Sequence, residues 1–327
     1  MLSVVSELRQ GGATALKAVQ RLVQADYIET PLAPALLDLV RDEKTELPLR
    51  VPSFLALAKV CHNDDFALHP MDTSELALTV SKQLDHKDIR IQAAATLALT
   101  NLTEHQLALD EPVLQQVMQS LDTMDHEGLQ RAVLGYIGNA AAVAEARQVL
   151  INDTNCIEKL SELCQAGRGE AVRGAAAFTI GNLLSGRDVH AQNMLREVVN
   201  QSFSISSYSR MPKVDGLPSL ILLLSPAYSE DTNECSAWAI SHGVHRNTLS
   251  QDLVGDAGGI AMLMHHLVSP NDDLRRNAIL ALYSSAVAHD ANLDRVKRND
   301  GEMLVEHMLS DESPECREYA TLLLQEF

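Results

Sequence analysis

Along most of this chain the apolar positions recur at spacings of three and four, the period of a helix that buries one face. The pattern comes in pairs. A short apolar stretch, such as Gly216-Leu-Pro-Ser-Leu220-Ile-Leu-Leu-Leu224, Gly259-Ile-Ala-Met-Leu263-Met-His-His-Leu267 or Gly301-Glu-Met-Leu304-Val-Glu-His-Met308-Leu, precedes a polar turn and then a longer, alanine-rich stretch. The turns Asp85-His-Lys-Asp88, Ser269-Pro-Asn-Asp-Asp273 and Ser310-Asp-Glu-Ser-Pro314 predict helix starts, because their side-chain oxygens can accept the unpaired first amides of the next helix. Small residues on the longer helices, as in Gln92-Ala-Ala-Ala-Thr-Leu-Ala-Leu-Thr-Asn101, allow close stacking on a neighbour.

The pairs repeat. Lys59, Asn101, Asn139, Asn182, His242, Ser285 and Glu326 hold the same place near the end of successive long helices, at intervals of 42, 38, 43, 60, 43 and 41 residues. A period of this size identifies stacked units, each burying its apolar face against the next. Length alone would allow two or three domains for 327 residues, yet one stack over residues 1–327 absorbs them all. The interval of 60 marks an inserted loop at about residues 201–214, with Gln201-Ser-Phe-Ser204-Ile-Ser206-Ser207-Tyr208-Ser209-Arg210-Met-Pro-Lys213 as its content. Six hydroxyls with two cations there predict an exposed loop, and Ser204, Ser206, Ser207, Tyr208, Ser209 and Arg210 are candidates for docking or modification.

A glycine opening the second helix, a polar turn, and a third helix ending at a marker asparagine together resemble the armadillo repeat family, with HEAT-like repeats as the degenerate form. Val254-Gly-Asp-Ala-Gly258-Gly259-Ile with Leu263 and Leu267 carries the resemblance best. It is good over residues 146–327 and degenerate over residues 1–145, where Ala33, Glu75 and Val113 replace the glycine and Pro48 and Pro52 interrupt the first copy. The resemblance implies an all-α, right-handed superhelical solenoid of about seven repeats. It also implies a concave groove lined by the third helices, in which Asn101, Asn139 and Asn182 hydrogen-bond the backbone of a bound segment. An amide suits that task, offering one donor and one acceptor per peptide unit, although the same groups can cap a neighbouring helix.

One turn before the markers, on the same helix face, lie Leu97, Gly135, Phe178, Trp238 and Ala281. Trp238-Ala-Ile-Ser-His242 is similar to the Trp-x-x-x-Asn array of karyopherin alpha importins, where indoles form slots for lysine stems. The chain departs from that array in having a single tryptophan and a histidine at the marker. Phe178, Asn182, Trp238, His242 and Ser285, with Asn101 and Asn139, are the predicted groove residues.

Charge and chemistry then narrow the function. A net charge of −18 disfavours direct nucleic-acid binding and points weakly to a basic protein or peptide partner. Five scattered cysteines without a CxxC pair predict a reducing compartment, cytosol or nucleus. Glu7 and Arg9 near the amino terminus do not suit a signal peptide, and no apolar run approaches the length of a membrane span. Cys235, His242, His245 and the pair His265-His266 fit no standard zinc spacing, so neither metal nor cofactor is expected. Gly255-Asp-Ala-Gly-Gly259 lacks the GK[ST] of a phosphate loop, and its glycines suit a sharp turn instead. No nucleophile motif occurs, and Asp64-Asp65 and Asp272-Asp273 are read as helix starts. The expectation is a non-catalytic scaffold or adaptor. The alternatives are a regulator of a folded partner in the manner of armadillo exchange factors for Hsp70, a karyopherin-like carrier, or, more remotely, a helical-repeat enzyme.

Overall fold

The computed structural model describes residues 2–66, 72–107, 109–152, 156–165, 168–186, 189–197, 216–298 and 300–327, and among them are twenty α-helices and no strand. Contacts divide the chain into two units, Met1–Val149 and Leu150–Phe327.

The first unit contains α1 (Leu2–Gln10), α2 (Gly12–Gln24), α3 (Ala33–Arg41), α4 (Leu47–Cys61), α5 (Thr73–Ser81), α6 (Ile89–Glu104), α7 (Glu111–Ser120) and α8 (Glu127–Ala142). Short helices α3, α5 and α7 pack on the long helices α4, α6 and α8, and the long helices pack side by side, α2 on α4, α4 on α6 and α6 on α8. Each step here uses two helices. The spacing works because α6 presents the fully buried Ala94, Ala95 and Ala98 beside Leu99 and Leu102, so two helix axes approach closely without a void. A side chain such as Leu99 contributes roughly 1.5–3 kcal/mol by burial.

One sequence expectation for this unit is corrected. Pro48 and Pro52 do not interrupt the first copy, because α4 runs continuously from Leu47 to Cys61. Pro48 sits in the first turn, where no donor is needed, and the carbonyl that Pro52 leaves without an amide is that of exposed Pro48, within reach of water. Asp64-Asp65 stands directly before the helical turn that begins at Phe66, the residues after which lie outside the described ones, and Asp65 Oδ1 accepts the Thr30 hydroxyl at 2.5 Å.

Helix α9 (Ala144–Asn152) runs through the division. The second unit continues with α10 (Cys156–Leu163), α11 (Glu170–Leu184), α12 (Val189–Glu197), α13 (Gly216–Leu222), α14 (Glu230–Val244), α15 (Thr248–Asp256), α16 (Gly259–His266), α17 (Asp272–Ala286), α18 (Asp290–Arg298), α19 (Gly301–Met308) and α20 (Pro314–Leu324). Its long helices α11, α14, α17 and α20 pack in sequence, each with a short partner, α10, α13, α16 and α19. The first helices α12 and α15 contact both members of the pair that follows, and α18 packs on α19.

The polar turns act as read from sequence. Asn271 Oδ1 accepts Leu274 N at 3.1 Å, Ser313 Oγ accepts Cys316 N at 3.4 Å, and Asp88 Oδ1 accepts Arg90 N at 2.9 Å. Such caps contribute about 1 kcal/mol each. The glycines that open short helices have a steric reason. A Cβ on Gly259 would lie 2.7 Å from Val254 Cγ1, and one on Gly301 would lie 2.5 Å from Val296 Cγ1, the same contact one repeat apart. Before them stand Gly258 at φ 78° and Asp300 at φ 56°, both in the left-handed region that ends one helix and starts the next.

A second device recurs near the start of the long helices. Arg50 Nε donates to Val40 O (3.1 Å), Gln130 Nε2 to Met124 O (2.6 Å), Asn233 Nδ2 to Leu223 O (2.7 Å), Arg275 to Ser269 O (2.9 Å) and Arg317 to Asp311 O (2.6 Å). In each case a polar side chain satisfies a carbonyl at the end of the preceding short helix or in the turn that follows it.

Candidate functional site

The marker positions separate into different roles. Lys59 Nζ donates to Val23 O and Ala25 O at 2.6 and 3.0 Å, and Asn101 Nδ2 donates to Ala58 O at 2.8 Å, so both cap the end of the preceding long helix. Asn139 is exposed on α8 and its side chain makes no hydrogen bond among the described residues. Ser285 is fully buried, with its carbonyl accepting Asn292 Nδ2 at 2.8 Å, and this removes it from any surface a partner could touch. Ser204, Ser206, Ser207, Tyr208, Ser209 and Arg210 lie outside the described residues.

Phe178, Asn182, Trp238 and His242 come together on α11 and α14. Trp238 Nε1 donates to Asn182 Oδ1 at 3.2 Å, and the His242 ring meets the indole edge-on at 4.1 Å between centroids. The indole lies against Gly181, where an added Cβ would sit 2.2 Å from Trp238 Cδ1. Glycine inside a helix costs about 1 kcal/mol relative to alanine, and here the missing side chain is what seats the ring. Asn182 is thereby committed through its oxygen to the indole. Phe178, one turn earlier on α11, remains 37% exposed. Gln192 Nε2 donates to His242 O at 2.7 Å and fixes this end of α14 against α12.

Sequence reasoning missed the continuation of this face. His245, one turn beyond His242, lies 6.4 Å from Tyr283 on α17, and Tyr283 lies 5.9 Å from Tyr319 on α20, centroid to centroid. An aromatic row thus runs from α14 through α17 to α20. Tyr283 falls two residues before its marker rather than one turn before it, so a search confined to the one-turn position passes over it. The recurring Gly-Asn at 138–139 and 181–182 was the available signal for the indole seat.

Carboxylates border the row. Asp231 and Glu234 stand two turns and one turn before Trp238 on α14. Burial raises the Glu234 carboxyl above the usual range, and nearby Asp273 and Asp231 raise it further. Asp273 is paired with Arg276 at 2.8 Å. Burial likewise pushes the Cys235 thiol up to about 12, with Glu234 adding to the shift, and Cys164 up to about 12. All five cysteines are free thiols. Among the described residues no three His, Cys, Asp or Glu side chains are placed to hold a metal ion, and no helix is long and apolar enough to cross a membrane. His265 and His266 diverge: His265 is exposed, whereas His266 is buried and hydrogen-bonds Leu224 O at 2.7 Å.

The stacked-helix fold is shared with solved proteins. An engineered protein matches over 99% of this chain and 77% of its own, at 18% identity and a TM-score of 0.79. A designed armadillo repeat protein matches over 76% of this chain and 99% of its own, at 20% identity and a TM-score of 0.61. The chain has an armadillo-like helical repeat fold. A second designed armadillo repeat protein, solved in complex with the peptide (KR)4, is similar over 77% of this chain and 99% of its own, at 20% identity and a TM-score of 0.60. No protein-family model matches the chain, and no curated protein does.

Proposed function

We infer that this chain is a non-catalytic protein-binding scaffold whose second unit holds a segment of a partner on the face formed by α11, α14, α17 and α20. The observation that carries the reading is the seating of Trp238 over Gly181, with its Nε1 held by Asn182 and its edge by His242, beside the exposed Phe178. A rigid, half-buried aromatic of this kind has already lost its rotamer freedom and presents apolar area at low entropic cost. The partner is a protein or peptide with basic side chains. Asp231 and Glu234 favour cations, the aromatic row offers faces on which lysine and arginine stems stack, and a designed protein of the same fold is solved with (KR)4. Burial holds the Cys164 and Cys235 thiols far from the reactive thiolate, which disfavours these two as nucleophiles. Cytoplasm or nucleus is the setting in which five free thiols persist.

Fluorescence anisotropy with labelled (KR)4 tests the face. Trp238→Ala and Phe178→Ala should each weaken binding by about tenfold, the scale of a central aromatic anchor. Ser285→Ala should leave it unchanged. Equal affinity for wild type and the Trp238→Ala variant would show that the face is wrongly assigned.

A further inference from the structure

The first unit carries a surface of different chemistry. On α4 the exposed side follows Leu47, Val51, Leu55, Lys59 and His62, and on α6 it follows Ile89, Ala93, Leu97, Asn101 and Glu104, the same spacing 42 residues later. The two helices are held in that register by Asn101 Nδ2 to Ala58 O at 2.8 Å and by His62 Nδ1 to Glu104 Oε2 at 2.9 Å. Leu47 therefore lies beside Ile89, Val51 beside Ala93, and Leu55 beside Leu97. Leu97 and Ile89 are each 45% exposed, Leu47 41% and Leu55 36%. On α8, which packs against α6, the position that follows Leu97 is Gly135, where an added Cβ would meet nothing within 4 Å. The result is an aliphatic shelf about two and a half turns long with an open notch on one side.

We propose that this shelf docks an aliphatic amphipathic helix of a partner, with lysine or arginine on the helix's outer flanks. Three considerations select that occupant. The shelf side chains Leu47, Val51, Leu55, Ile89, Ala93 and Leu97 offer no polar atom. A segment lying on them must satisfy its own backbone hydrogen bonds, which a helix does and an extended peptide does not. The four large side chains expose on the order of 300 Å², within the range of the largest apolar patch on a typical monomer, which is often functional. A stable dimer needs about 800 Å² from each partner, and a second copy would also bring its own net charge of −18. The same negative charge favours cationic flanks on whatever binds.

The probe is a labelled peptide of leucine and lysine with leucines at i, i+3, i+4 and i+7, titrated by anisotropy against the whole chain in about 0.15 M salt. One control has the same composition with leucines alternating, and a second replaces lysine by glutamate. Leu55→Glu and Leu97→Glu should each weaken the helix-spaced peptide by about tenfold or more, well beyond any loss from Phe178→Ala or Trp238→Ala. Leu97→Ser gives a milder version of the test, and thermal melts by circular dichroism confirm that each variant is folded. Equal binding of the alternating peptide, tighter binding of the glutamate peptide, or no loss in folded Leu55 and Leu97 variants would overturn the proposal. So would a dimer in light scattering that Leu97→Glu dissolves, because a second copy would then cover the shelf.

Discussion

At the scale of single residues, the candidate site depends on one hydrogen atom standing where a methyl group would otherwise be. Gly181 gives Trp238 a seat, and the indole in turn occupies the oxygen of Asn182. Gly181→Ala should therefore unseat the ring even though alanine favours the helix. The expected cost is about 1–3 kcal/mol, typical of overpacking, less the propensity gain. Trp238 is the chain's single tryptophan, so its emission reports this position alone. A red shift in Gly181→Ala with the fold retained is the expected result, and an unchanged spectrum would mean the ring does not rest there. This detail was only half legible in the sequence. Trp238, Phe178 and Asn182 are legible because they fall at fixed spacing on a repeat, whereas the role of Gly181 depends on the ring opposite it, which spacing along one helix does not place. Ser285 shows the converse error, since its register is correct but its helix rotates that position inward.

At the scale of elements, steps within each unit are stapled by side chains that reach carbonyls of the preceding step, as Lys59, Asn101 and His266 do. His266 is the clearest case, with its imidazole buried at the end of α16 and bonded to Leu224 O at 2.7 Å. Burial lowers its pKa below the ordinary 6.5, so the folded chain binds that proton less readily than the unfolded chain. The neutral ring's contribution is complete above the unfolded value and is lost as pH falls through and below it. The unfolding midpoint of the wild type should drop between about pH 7 and pH 5 more than that of His266→Gln, which keeps a donor but does not titrate. Parallel curves for the two proteins would remove this role. Helix pairing was legible because alternation of apolar stretch, polar turn and alanine-rich stretch has one local solution. The number of helices per step was less so, because whether a first helix forms depends on packing between neighbours. Pro52 illustrates that limit: taken alone it predicts a break, yet water at the exposed Pro48 side lets α4 continue.

At the scale of the whole chain, charge and apolar area are assigned to different faces, and salt separates them. The second unit's row combines aromatics with Asp231 and Glu234, so on the proposed face any binding of (KR)4 should be charge-dominated, within a molecule of net charge −18. Screening shortens the reach of such forces to about 10 Å at 0.1 M salt and about 3 Å at 1 M. Its affinity should fall steeply and continuously as salt rises, mainly through slower association. On the aliphatic shelf the leucines of a bound helix are held by removal of apolar surface from water, which salt does not screen. The leucine–lysine peptide should lose only the share owed to its lysines. Plotted against the logarithm of salt concentration, the log affinity of (KR)4 should therefore have the steeper slope. In Leu97→Glu the residual binding of the leucine–lysine peptide should steepen toward the (KR)4 slope, because the added carboxylate leaves charge attraction as the larger part of what remains. Equal slopes in the wild type would mean that both peptides are drawn by net charge alone, and neither face would then need a specific geometry.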